Sequence, residues 1–114
     1  MLYAIIAIFA LAAVMGLVVA IAIISKKPET PKAAVFAHGG LGATALVLLI
    51  VYMLNHPENY PKVSLILFVI AALGGFLLFF NDFAKKKPGP VGLVVVHALV
   101  AVTAFVLLLV FALF

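Results

Sequence analysis

Two histidines, His38 and His97, interrupt stretches of sequence that otherwise carry no charged residue. An imidazole inside an apolar helix can ligate a metal, relay a proton or hydrogen-bond to a neighbouring helix. Small residues surround both. Gly39 and Gly40 follow His38, and its helical face continues through Gly42 and Ala45; Ala101 and Ala104 hold the same offsets from His97. The chain has no cysteine, which excludes thiolate ligation, iron–sulfur clusters and covalent c-type haem. Zinc takes three or four protein ligands, and two histidines do not supply them. Haem iron, by contrast, accepts two axial imidazoles. The other chemistries open to the pair are a hydrogen-bonded structural clamp, proton handling, and a pigment held through single histidines.

The elements that carry these residues follow from composition. Of 114 residues, 69% are hydrophobic and 9% are charged, against about 25% charged in a soluble domain. A soluble enzyme, a nucleic-acid binder and a disordered tail are thereby excluded, and an integral membrane protein remains. The charges fall in three places: Lys26, Lys27, Glu29 and Lys32; Glu58 and Lys62; and Asp82, Lys85, Lys86 and Lys87. The uncharged runs between and outside them approach the roughly 20 residues that cross a bilayer as a helix. They predict helices over 2–25, 33–54, 63–81 and 91–113, with breakers at Pro28, Pro31, Pro57, Pro61, Pro88, Gly89 and Pro90. The runs are continuous rather than alternating, which argues against a β-barrel. The first run lacks a basic leader and is longer than a typical signal-peptide core, so it reads as a span.

Set against itself at an offset of 59, the chain pairs residues 2–55 with 61–114 without a gap, and 16 of 54 positions are identical. The informative matches are Gly16 with Gly75, Lys26 and Lys27 with Lys85 and Lys86, Pro31 with Pro90, His38 with His97, and Thr44 with Thr103. The expected fold is an all-α, four-transmembrane-helix bundle, one domain over 1–114. It is built from two tandem helical hairpins (2–55 and 61–114) related by a pseudo-twofold axis along the membrane normal.

Each membrane histidine lies about six residues inside its helix, a depth of about 9–10 Å. In an up-down bundle the second and fourth helices lie on a diagonal of roughly 11–14 Å. That spacing predicts two imidazoles too far apart to touch but able to reach a group between them. Gly16 on the first helix and Gly74 and Gly75 on the third fall near the same depth. The expected site is one haem b ligated through iron by His38 and His97, with Gly16, Gly39, Gly42, Gly75 and Ala101 making room. Paired histidines on transmembrane helices of a four-helix bundle resemble the membrane b-type cytochromes in architecture, over two residues and a topology.

The function expected from such a site is electron transfer, or haem sensing or handling. Quinone or a redox protein would be its partner. No carboxylate pair, nucleophile–base pair or phosphate loop is present, so any enzymatic activity would have to come from the cofactor. The competing class is a non-haem structural or accessory subunit of a larger membrane complex or homo-oligomer. A small transporter or channel ranks third. The first and third connections hold six of the seven lysines. The positive-inside rule therefore puts them in the cytoplasm and both termini outside. Size and the absence of targeting segments point to a bacterial plasma membrane. Tyr3, Tyr52 and Tyr60 read as interfacial rings, His56 as a solvated loop residue, and Asp82 as the partner of a neighbouring lysine.

Overall fold

A computed structural model describes residues 1–86 and 89–114 of the chain. It contains four helices: α1 Leu2–Ile24, α2 Lys32–Asn55, α3 Lys62–Ala84 and α4 Val91–Leu113. No strand occurs among the described residues. Lys87 and Pro88, expected above in the third connection, lie outside them. At 1.5 Å per residue each helix is about 35 Å long, enough for a hydrocarbon core of about 30 Å. All four are long and apolar enough to cross a membrane, and bulky apolar side chains such as Leu11, Leu17, Leu73, Phe76 and Leu99 cover their outer faces. Such a surface is stable only in lipid, so the chain is an integral membrane protein.

Proline and lysine set the helix boundaries. Pro31, Pro61 and Pro90 occupy the N-cap positions of α2, α3 and α4, where no intrahelical donor is required. The end of α1 closes on itself. Lys26 takes a positive φ of 58°, its N–H donates to the Ile23 carbonyl, and Lys27 N–H donates to that of Ala22. These are the paired bonds of a Schellman motif. The third helix runs three residues beyond the expected end at 81. Asp82, which reads as a stop signal, is buried within the last turn and has partners that satisfy its charge.

The helices form a ring in which α1 and α3 each touch α2 and α4, leaving α1–α3 and α2–α4 as the diagonals. Packing is much more extensive within each hairpin than between the hairpins. The apolar core lies toward the ends that carry the chain termini, where Ile5, Phe9, Ala45, Leu49, Leu65, Phe68, Ala104 and Leu108 cluster. Phe9 and Phe68 stack across one diagonal with ring centroids 3.9 Å apart. Ala45 and Ala104, from the other diagonal, are fully buried, so large residues on one diagonal meet small ones on the other.

Candidate functional site

His38 and His97 each stand six residues after the first residue of their helix, α2 and α4. They rise toward the centre from the same end of the bundle, the end that bears most of the lysines. Both are half-buried. The antiparallel partner in each hairpin brings a glycine opposite each ring. A Cβ on Gly16 would lie 2.7 Å from His38 Cε1, and one on Gly75 would lie 3.0 Å from His97 Cε1. Glycine is needed at 16 because any side chain there would occupy the volume of the imidazole.

His38 Nδ1 lies 2.7 Å from the Ala12 carbonyl oxygen. The carbonyl can only accept, so Nδ1 carries the proton and donates it. The neutral ring then keeps its free lone pair on Nε2, the arrangement found where a histidine binds a metal. His97 differs. Its Nδ1 is buried and makes no bond as short and aligned as that of His38, although the Ala71 backbone, the counterpart of Ala12 in the second hairpin, is its hydrogen-bonding neighbour.

The two imidazoles face each other across the α2–α4 diagonal with centroids 6.0 Å apart and planes at 89°. This corrects the expectation that they stand too far apart to touch. The diagonal measures axis to axis, whereas each Cα already lies about 2.3 Å off its axis and the side chain extends further inward. The rings therefore meet edge to face, within the range of packed aromatic pairs.

One turn toward the termini, about 6 Å along the axis, a layer of small residues follows: Ala12, Gly42, Ala71 and Ala101. Ala12 and Ala71 are buried, while Gly42 and Ala101 are half-buried. The Phe9–Phe68 stack lies below that layer. Of the glycines expected to make room, Gly16 and Gly75 contact the imidazoles, but a Cβ on exposed Gly39 or on half-buried Gly42 would meet nothing within 4 Å. Gly39 follows His38 by one residue, which turns it about 100° away around the helix. Thr44 and Thr103 donate to the carbonyls of Gly40 and Leu99, each at 2.8 Å, and so satisfy themselves one turn back.

A polar link joins the hairpins above the histidines. The Thr30 hydroxyl lies 2.8 Å from both Asp82 carboxylate oxygens, and Lys32 Nζ donates to Oδ2 at 2.8 Å. Among the described residues, the lysine that pairs with Asp82 thus comes from the other hairpin, 50 residues away, instead of from the adjacent run. It also lies 4.8 Å from the Phe83 ring centre. Phe79 and Phe83 pack with Phe36, whereas Phe76 and Phe80 are exposed. His56 is exposed, stacks on Tyr52 and donates from Nδ1 to its carbonyl.

Two features of the site escape a reading of side-chain types. The Ala12 carbonyl is a backbone group and leaves no residue signature. The Phe9–Phe68 stack had one, identity at the 59-residue offset, but apolar identities are common in membrane helices. No group of three or more His, Cys, Asp or Glu residues able to hold a metal occurs among the described residues. A metal held by the histidine pair must therefore bring its remaining ligands with it. Comparison of the chain with family models, curated proteins and solved structures gave no match.

Proposed function

We propose that the protein binds one b-type haem between His38 and His97 and serves as a membrane cytochrome-like component in electron transfer or haem handling. The observation that carries this reading is the facing pair itself. Their ring centres stand 6.0 Å apart, so one group could be held from both sides once the edge-to-face contact is turned to bring the two Nε2 atoms toward it. The donor set fits as well. His38 presents a free Nε2 because Ala12 fixes its tautomer, and a porphyrin supplies the four ligands the protein lacks. The residues one turn away, Ala12, Gly42, Ala71 and Ala101, are small, and the hairpins pack less extensively on each other than within themselves, so the seam between them is where a flat group would have to enter.

In this role His38 and His97 would hold the haem through its iron, and Ala12 would orient the first of them. The Phe9–Phe68 stack would close the floor. Lys26, Lys27, Lys85 and Lys86 would supply positive charge for the haem's carboxylates at the lysine-bearing end; Lys32 is already engaged by Asp82. A bound haem supplies reversible one-electron chemistry. A single haem about 9–10 Å from one face does not bridge a core of about 30 Å. Electrons would therefore be exchanged with a quinone or a redox partner at the same face. The lysine-rich connections would face the cytoplasm of a bacterial plasma membrane.

An absorption spectrum tests the reading. Protein purified with haem available is expected to show a Soret band and sharp reduced-state b-type bands, and His38→Ala is expected to abolish or shift them. Protein that stays colourless when haem is added refutes the proposal. The second reading, a non-haem structural or accessory subunit, is favoured by the edge-to-face contact of the rings, which by itself joins the two hairpins. It predicts a colourless protein in which both histidine substitutions weaken the bundle.

A further inference from the structure

At the lysine-bearing end, a cleft of about 470 Å³ lies between the last turns of α1 and the connection that follows it. Its two borders differ in chemistry. Val18 and Ile21 of α1 form an apolar wall that is exposed to lipid. Lys27, Glu29 and the buried Thr30 form a polar border beyond the end of the helix. The Thr30 hydroxyl is already taken up by Asp82 and Lys32. Lys27 and Glu29 are exposed, and neither forms an ion pair among the described residues. The cleft therefore presents one open ammonium and one open carboxylate side by side. Pro28 stands between them, and its fixed φ restricts the segment that carries both. The second hairpin departs from this arrangement. At the 59-residue offset Lys27 matches Lys86, but Glu29 matches Pro88 and Thr30 matches Gly89. Gly89 is buried, and a Cβ there would run into Leu78. The second hairpin thus keeps the cation without the carboxylate, so the opposed charges belong to the first hairpin and not to the lysine-rich end in general.

We infer that this cleft holds one phospholipid whose headgroup carries a primary amine, of the phosphatidylethanolamine class. The inference is independent of the haem reading. Val18 and Ile21 meet the upper part of an acyl chain, Lys27 meets the phosphate, and Glu29 accepts N–H bonds from the ammonium. Lysines at the end of a membrane helix attract lipid phosphate of any kind; the carboxylate is what selects. An anionic glycerol headgroup offers Glu29 no cation and is repelled by it. A choline headgroup carries a positive charge but no N–H, so only the primary ammonium satisfies the carboxylate through charge-assisted hydrogen bonds. Water reaches both charges, so the preference is modest, about two- to fivefold, as for exposed ion pairs. The bound lipid would brace the connection whose next residues, Thr30 and Lys32, hold Asp82.

Native mass spectrometry of the full chain in detergent tests the inference. The protein is offered an equimolar mixture of phosphatidylethanolamine, phosphatidylcholine and phosphatidylglycerol with identical acyl chains, and the first lipid retained is identified. Phosphatidylethanolamine is expected to exceed each of the others about two- to fivefold. Glu29→Gln is expected to remove its advantage over phosphatidylcholine and to raise phosphatidylglycerol. Lys27→Gln is expected to lower retention of all three, and Lys86→Gln, at the matching place in the second hairpin, to leave the preference intact. All three side chains are exposed and lie outside the helices, so the variants keep the fold. Equal retention of the ethanolamine and choline lipids overturns the inference. A preference for phosphatidylglycerol overturns it as well, since it marks a basic surface without selection. So does an ethanolamine preference that survives Glu29→Gln, because the headgroup then sits elsewhere.

Discussion

At Gly16 an added methyl group would lie 2.7 Å from His38 Cε1 and 2.8 Å from Nδ1, so Gly16→Ala must displace the imidazole and with it the hydrogen bond to Ala12. Loss of a buried hydrogen bond costs about 1–3 kcal/mol, and thermal unfolding in detergent should fall accordingly. Gly39→Ala is the matched control. Open space surrounds that position, and alanine is favoured over glycine in a helix by about 1 kcal/mol, so melting should stay unchanged or rise. The comparison separates the two glycines that the sequence grouped together. Both lie near a histidine in the chain or at its depth in the membrane, but only Gly16 meets an imidazole. Which glycine touches the ring depends on the rotation of α1 against α2, which the residue pattern leaves open when nearly every face is apolar.

The connections show how individual elements are closed and joined. Lys26 and Lys86 hold φ values of 58° and 52°, a conformation that costs a side-chain-bearing residue roughly 1–2 kcal/mol. Replacing either lysine by glycine should therefore stabilise its helix end by about 1 kcal/mol, seen as a higher melting temperature in neutral detergent. An unchanged or lower value would show that the lysine side chain itself contributes there. The link from Asp82 to Thr30 and Lys32 ties the end of α3 to the other hairpin. Lys32 is 44% exposed and can return to water when its partner is removed, so Asp82→Ala should cost about 1–3 kcal/mol, less than a fully enclosed ion pair. The helices themselves were legible in the sequence to within a residue or so at most ends. The exception was the C-terminus of α3, because a carboxylate reads as a loop signal until its partners from a distant segment are known.

For the whole molecule, helix number and alternation put both termini and the connection around Glu58 at one end of the bundle, and the connections around Glu29 and Lys85 at the other. The chain contains no cysteine, so single cysteines at Tyr3, Glu58, Glu29 and Lys85 can be probed with a membrane-impermeant thiol reagent. Tyr3→Cys and Glu58→Cys are expected to react from outside intact cells, and Glu29→Cys and Lys85→Cys only after the membrane is opened. The opposite pattern would reverse the orientation expected from the lysines; a mixed pattern would contradict four spans. The same view explains why the histidine layer is a candidate for a cofactor. Toward the termini the bundle is filled by the Phe9–Phe68 stack and its aliphatic neighbours. Toward the lysines small residues border the histidine layer, and the two hairpins are joined by the histidine pair, by Phe36 against Phe79 and Phe83, and by Asp82.

The sequence by itself determined the solvent, the number of spans, the 59-residue correspondence and the identity of the two residues that break the apolar pattern. These follow from transfer energies and chain length, which are properties of single residues and runs. Only the tertiary structure decided that His38 and His97 approach to 6.0 Å, that the Ala12 backbone carbonyl fixes His38, and that Lys32 crosses between hairpins to reach Asp82. Those facts depend on how the helices rotate and tilt against one another. In a lipid environment that choice is set by small-residue packing and scarce hydrogen bonds, and hydropathy carries no record of it.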